Sequence, residues 1–89
     1  MSSERWQELL TLLEPIHERA RLSARRLSRS SAEGDDLFHD AVLRAYEKLP
    51  ALRTPASFGG WFYAVLLSVH RNRSRRGFWR GFVHLDAVL

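Results

Sequence analysis

Residues 33–49 of this sequence read EGDDLFHDAVLRAYEKL and have the pattern of an α-helix. At the 100° per residue of an α-helix, one broad stripe of this stretch is apolar. The stripe consists of Leu37, Phe38, Ala41, Val42, Ala45 and Leu49. We expect Ser31 to cap the helix, because a serine side chain accepts well from free backbone N–H groups. Since Pro50 disfavours helix at the residue before it, the pattern predicts an amphipathic helix over about residues 32–49.

The opposite face of this predicted helix is acidic around one leucine. Leu43 lies there among Asp36, Asp40 and Glu47, with His39 beside them. A lone exposed leucine is ordinary on a protein surface. An apolar centre with a charged rim, however, is also typical of a small docking patch. The residues alone leave both interpretations open.

Two further helices are predicted on either side. The first spans about residues 4–27 at mostly helical apolar spacing, with a kink or a break at Pro15. Its expected apolar residues are Trp6, Leu9, Leu10, Leu13, Ile16, Ala20, Leu22, Ala24 and Leu27. The last begins with Thr54 as N-cap and Pro55 at the first helical position. It runs to residue 75 or 76 and ends at Gly77.

The stripe expected to be buried on the last helix is Phe58, Trp61, Phe62, Val65, Leu66 and Val69. Gly59 and Gly60 lower helix propensity near its start, by roughly 1 kcal/mol each relative to alanine. Together the three patterns predict an all-α fold, a compact bundle of three to four helices.

Length and composition bound the class of protein further. The chain has 89 residues, which suit one small domain, and it has no cysteine, so disulfides and cysteine-ligated zinc are excluded. No apolar run approaches the roughly 20 residues that span a bilayer. The first residues lack the charged and then apolar layout of a secretory signal. We therefore expect a cytoplasmic protein without membrane insertion.

Charge is distributed unevenly along the chain. The net charge is +4, but residues 1–47 hold nine acidic side chains and seven arginines. Residues 48–85 hold seven basic side chains and no acidic one. A long basic stretch is typical of a surface that neutralises phosphates, although a merely solvated basic face has the same composition.

Two blocks of this sequence resemble the region 2 domain of extracytoplasmic-function (ECF) sigma factors, in the sigma-70 family. In that family an acidic pair and a leucine precede a Gln-Glu-like pair and then Phe-Leu-Arg-Ala-Trp or Tyr, a pattern that residues 35–46 follow. The second block is Ser-Phe-x-x-Trp-Leu-Tyr-x-Ile before a basic stretch that ends in Arg-Arg. Here residues 57–65 read SFGGWFYAV, and Arg75 and Arg76 follow.

The resemblance implies a bundle of the sigma region 2 type over residues 1–76. It also implies that residues 77–89 begin a linker toward a C-terminal region 4 domain, which lies outside this sequence. In the family, the second helix docks on the clamp helices, a coiled coil of the RNA polymerase β′ subunit. The docking candidates carried over are Asp36, His39, Asp40, Leu43 and Glu47.

The loop and last helix of the family engage the promoter −10 element on its non-template strand, one base of which is flipped into a pocket. The DNA-binding candidates carried over are Arg53, Thr54, Ser57, Tyr63, Ser68, Arg71, Asn72, Arg75 and Arg76. This sequence departs from the family at Ala64, where arginine is common, and at Leu67-Ser68, where Arg-Asn is common. Because fewer polar groups then face the DNA, we expect either that the promoter element differs from the family's or that the binding is weak.

Three alternatives stand beside a transcription-initiation domain. One is an interaction module held by an anti-sigma factor, a partner that is common in the family. Another is a stand-alone DNA-binding regulator. The third is an enzyme, which we do not expect: no catalytic triad order and no Gly-rich phosphate loop is present, and the four histidines lack metal-ligand spacing. We expect no catalytic residue, no metal and no cofactor.

Overall fold

A computed structural model describes the backbone of residues 3–88 and the side chains of residues 3–74. The described residues form helices without a strand, so the predicted all-α fold is confirmed. The α-helices are α1 (Ser3–Leu13), α2 (His17–Arg26), α3 (Ser31–Lys48) and α4 (Phe58–Val88). Short 3₁₀ turns lie between them at Glu14–Ile16, Leu49–Ala51 and Pro55–Ser57.

The break predicted at Pro15 is confirmed. Pro15 lies in the 3₁₀ turn between α1 and α2, where its ring and its missing N–H prevent a continuous α-helix. Two separate helices each turn their own side toward the core. For this reason Leu10 and Leu22, which were expected on one continuous apolar stripe, are instead 52% and 41% exposed.

The predicted cap of α3 is wrong by one residue. Ser30, not Ser31, has the extended backbone of an N-cap, and its hydroxyl accepts a 3.1 Å hydrogen bond from the Glu33 N–H. Ser31 is already the first residue of the helix. Either serine has the right chemistry for a cap. Only the backbone dihedral angles at the helix entrance decide which of them takes that position.

The core lies where α3 packs against both α2 and α4. Phe62 is fully buried, with its ring centroid 6.0 Å from that of Phe38 and 5.7 Å from that of Phe58. Trp61, expected in the buried stripe, is only partly buried at the edge of the core. Tyr46 was not expected there, but it is buried because its ring stacks on Trp6 at 4.4 Å.

Helices α2 and α3 approach each other closely at Gly34. A Cβ atom at this position would lie 2.6 Å from the Arg25 Cα, so only glycine fits without a shift of backbone. On the next residue, the Asp35 carboxylate accepts two hydrogen bonds from the Arg25 guanidinium, at 3.0 and 3.1 Å. These bonds lower the pKa of the Asp35 carboxyl. The contact and the ion pair together fix how α3 is rotated against α2.

Helix α4 is longer than predicted. It was expected to end at Gly77, but it continues to Val88. A glycine ends a helix when it adopts a left-handed conformation, and no glycine of the described backbone has a positive φ. The domain boundary at residue 76 remains a prediction. The side chains of the predicted linker, 77–89, lie outside the described residues.

None of the helices within the described part of the chain is both long and apolar enough to cross a membrane.

Candidate docking and nucleic-acid surfaces

The five predicted docking residues lie together on the exposed side of α3. We call this surface the α3 face; it consists of Asp36, His39, Asp40, Leu43 and Glu47, all of them exposed. Leu43 is 47% exposed, a large fraction for a leucine. Its neighbours on the helix surface at spacings of three and four residues include Asp40, His39 and Glu47. The apolar centre with an acidic rim, expected from the sequence, is therefore present in the folded domain.

One edge of the α3 face borders α4. A shallow groove of about 190 Å³ runs between the two helices and is lined by Asp40, Leu43, Arg44, Glu47, Val69, Asn72 and Arg73. Across this groove the Arg73 guanidinium donates a hydrogen bond to the Asp40 carboxylate. Arg44 lies 3.9 Å from the Glu47 carboxylate on the same helix. The α3 face and helix α4 are thus in direct contact.

The segment between α3 and α4 presents three of the DNA-binding candidates. Arg53, Thr54 and Ser57 are all exposed. The last helix was predicted to begin at Pro55 with Thr54 as its N-cap, but Pro55–Ser57 form a 3₁₀ turn and α4 begins at Phe58. Thr54 precedes that turn without a side-chain capping bond, and its hydroxyl lies 2.8 Å from the Ser57 hydroxyl. The Thr54 carbonyl also accepts a 3.1 Å hydrogen bond from the Ser57 N–H. The two hydroxyls are held together at the surface, where each keeps capacity for a further partner.

The candidates on α4 do not form one compact patch. Tyr63, Ser68, Arg71 and Asn72 are all exposed, but Tyr63 and Asn72 are nine residues apart, which is about 180° around the helix. Asn72 faces the groove beside α3, whereas Tyr63 borders a different groove beside α2. Ser68 and Arg71 lie on the outward side between them. A strand that contacts all four would have to cross the helix.

The groove beside α2 was not anticipated from the sequence. It has a volume of about 340 Å³, and its apolar wall comes from Ile16, Ala20, Phe62 and Leu66. Arg19 and Ser23 line it from α2, at a spacing of four residues that places them on one side of the helix. The sequence contains that spacing, but the pairing of α2 with the start of α4 is visible only in the fold.

Arg73 was also missed, since the sequence placed it in the basic stretch without an assigned role. The candidates Arg75 and Arg76 lie outside the residues whose side chains are described. Among residues 3–74, no three histidine or acidic side chains are grouped closely enough to hold a metal ion. The candidate surfaces are therefore the α3 face, helix α4 beside it, and the exposed hydroxyls of Thr54 and Ser57.

The sequence also matches a protein-family model. The family model for sigma-70 region 2 matches residues 12–80, which is most of the chain. No curated protein and no solved structure matches this sequence. The match includes α2, α3, the connecting segment and most of the basic stretch. The chain therefore belongs to the sigma-70 region 2 family, a non-enzymatic domain of transcription initiation that takes part in promoter recognition with RNA polymerase.

Proposed function

We propose that the chain is the region 2 domain of an ECF sigma factor. In this proposal the α3 face docks on the β′ clamp helices of RNA polymerase, and the connecting segment and α4 bind the melted −10 element. The domain has no catalysis or cofactor of its own, and it acts in the cytoplasm, where polymerase and chromosomal DNA are found.

The observation that carries the docking proposal is the exposure of Leu43 between the Asp40 and Glu47 carboxylates. Among the residues whose side chains are described, the core of α3 lies on the other side of the helix and does not include this leucine. An apolar contact at Leu43 would contribute affinity by burial. The surrounding carboxylates would select a basic partner and increase the association rate.

The DNA proposal is supported by charge and exposure. Arg53 and Arg71 are exposed, and neither takes part in an ion pair among residues 3–74, so both are available to phosphates. Tyr63, 47% exposed, offers an aromatic ring on which a base can stack. The Thr54 and Ser57 hydroxyls offer hydrogen bonds to a base edge or a sugar. These groups suit an unpaired strand, because bases in a duplex are already stacked.

Docking is tested with Leu43→Arg in a pull-down of a β′ clamp-helix fragment. We expect the variant to lose binding, because the arginine removes the apolar contact and adds a positive charge against a basic partner. Leu10→Arg is the matched control, since Leu10 is also about half exposed but lies on α1. Both variants should keep the wild-type circular-dichroism melt. Retained binding of Leu43→Arg, or equal loss in both variants, would rule out docking through the α3 face.

DNA binding is tested by fluorescence anisotropy with −10 non-template single strands and with the corresponding duplexes. We expect tighter binding of the single strand, with an affinity that falls steeply as salt rises. Equal affinities that do not depend on salt would remove the DNA assignment. Arg71→Gln should weaken binding to all sequences alike. It should also reduce the slope of log affinity against log salt by the amount expected for the loss of one phosphate contact.

An anti-sigma factor is the second candidate partner, favoured by the same exposed leucine. A protein that covers the α3 face would exclude the polymerase. The two partners are distinguished by competition: a clamp-helix fragment should displace an anti-sigma factor bound at Leu43, and should leave one that is bound elsewhere in place.

A further inference from the structure

We propose that copies of this chain associate through two unlike surfaces, with α2 of one copy packed on the α3 face of the next. The surface on α2 consists of Arg19, Leu22 and Arg26, and we call it the α2 face. This association goes beyond the proposed function and does not depend on it. Both surfaces belong to this chain, and neither polymerase nor DNA takes part.

The α2 face has an apolar centre with a basic rim. Leu22 is 41% exposed, and Arg19 and Arg26 are exposed three residues before it and four residues after it. That spacing places the three side chains on one side of the helix. Neither Arg19 nor Arg26 takes part in an ion pair among residues 3–74, whereas Arg21 and Arg25 are both paired with carboxylates. The α2 face therefore presents two cations that the domain itself does not neutralise.

The exposed leucine favours a protein partner over a nucleic acid. The two arginines could bind phosphates, but Leu22 has no role in a phosphate contact. An apolar side chain between charged groups is instead typical of the centre of a protein interface with its polar rim. The partner that this chemistry fits is an exposed helix with an apolar residue between two carboxylates.

The α3 face has that chemistry at the same spacing. Asp40 lies three residues before Leu43, and Glu47 lies four residues after it. The two rim charges are thus seven residues apart on both helices, which is about 10 Å along the helix axis. When two such helices pack in parallel, leucine meets leucine and each arginine meets a carboxylate. The opposite signs of the rims favour this pairing, and each face repels its own kind.

The carboxylates of the α3 face are accessible to a second copy. The side chain of Asp40 is 50% exposed and that of Glu47 is 66% exposed. Each has an arginine of its own chain nearby, but a carboxylate accepts several hydrogen bonds. Leu22 and Leu43 lie on different helices and are both exposed, so the two faces do not meet within one copy. A contact between them joins two molecules.

A contact between unlike faces leaves each end of the assembly with one free face. Such a contact is heterologous, so further copies can add unless a ring closes. The contact is one short helix against another, which belongs to the weak end of interface sizes. We therefore expect association that grows gradually from about 10 μM to about 1 mM, without a single stable size.

Association also occupies the surface that we propose for polymerase. This consequence rests on the proposed function: a copy packed on the α3 face covers Leu43 and excludes the clamp helices. The α2 face is not part of that docking surface. A change at Leu22 therefore separates association from docking.

The proposal is tested by sedimentation velocity of the whole chain over this range of concentration. We expect the weight-average sedimentation coefficient of wild type to rise with concentration. The rise should be smaller in about 1 M salt than in about 0.1 M salt, because salt screens the charged rims. Leu22→Glu and Leu43→Arg should each weaken association by about tenfold or more, since each removes the apolar contact and opposes like charges. Leu10→Glu is the matched control and should associate as wild type does, because Leu10 is exposed on α1.

A mixture of two variants distinguishes unlike pairing from like pairing. Leu22→Glu keeps an intact α3 face, and Leu43→Arg keeps an intact α2 face. Equal amounts of the two should therefore associate again, although each alone associates weakly. A mixture that stays monomeric overturns the proposal, and so does an association that Leu22→Glu leaves unchanged.

A wild-type chain that is monomeric at every concentration also overturns the proposal. If Arg26→Gln then binds a labelled single-stranded oligothymidylate more weakly than wild type does, the α2 face is assigned to nucleic acid. In the pull-down with the clamp-helix fragment, Leu22→Glu should bind at least as well as wild type. Failure of wild type to bind that fragment contradicts the proposed function and leaves the sedimentation result as it is.

Discussion

Replacement of Gly34 with alanine tests the close approach of α2 and α3. Helix propensity by itself predicts that the variant is more stable, by about 1 kcal/mol, because Gly34 lies inside α3. The structure predicts the opposite. The new Cβ would lie 2.6 Å from the Arg25 Cα and 2.8 Å from its Cγ, whereas carbon atoms in contact are normally about 3.5–4.0 Å apart.

The magnitude follows from what has to move. The nearest atom belongs to the backbone of α2, so relief requires a shift of one helix by about 1 Å, and rotation of a flexible side chain is not sufficient. Overpacking of this kind costs about 1–3 kcal/mol. After subtraction of the propensity gain of about 1 kcal/mol, we expect a net loss of up to about 2 kcal/mol. For a domain of this size, a loss of about 2 kcal/mol lowers the melting temperature by about 8–16 °C.

The assay is thermal unfolding followed by circular dichroism, with Gly60→Ala as the matched control. A Cβ at Gly60 would meet nothing within 4 Å, so this variant should gain about 0.5–1 kcal/mol and melt a few degrees higher. The two glycine-to-alanine changes should therefore shift the melting temperature in opposite directions. A rise in both variants would show that α2 and α3 do not approach each other as described, and would refute the reasoning.

Two further predictions concern the start of α3. Ser30→Ala should lower the free energy of unfolding, measured in urea, by about 1 kcal/mol because the Glu33 N–H loses its acceptor. Ser31→Ala is the control and should change this free energy little. Equal effects of the two changes would contradict the assignment of the cap. The Arg25 hydrogen bonds lower the pKa of Asp35, so the folded state binds this proton less readily than the unfolded state. That stabilisation is present above the unfolded pKa, about 3.9, and is lost as the pH falls through the lower folded value. The melting temperature of wild type should accordingly fall more steeply on acidification than that of Asp35→Asn, and parallel pH profiles would contradict this prediction.

Local features of the fold could be predicted from the sequence because they depend on neighbours along the chain. The spacing of apolar residues predicted the helices, and Pro15 predicted the break between α1 and α2. The same periodicity placed Leu43 and its carboxylates on one exposed side of α3. The cap at Ser30 and the end of α4 were missed, since adjacent serines are chemically equivalent and Gly77 does not force a turn.

The family also followed from the sequence, because two ordered motifs at a fixed separation carry that information without coordinates. The arrangement of the DNA-binding candidates did not follow from it. Tyr63 and Asn72 were predicted for one surface, but they border different grooves, one between α4 and α2 and the other between α4 and α3.

Helical periodicity and the two motifs were sufficient to predict the helices, the exposed side of α3 and the family, but not the exposure of Leu10 and Leu22 or the burial of Tyr46. The contacts between helices follow from the fold alone: Gly34 faces Arg25, Tyr46 stacks on Trp6, and Asp40 pairs with Arg73, 33 residues away. The physical reason is geometric. Periodicity fixes the angle of a residue about its own helix axis, whereas packing of the whole core fixes the distance and rotation of one helix relative to another.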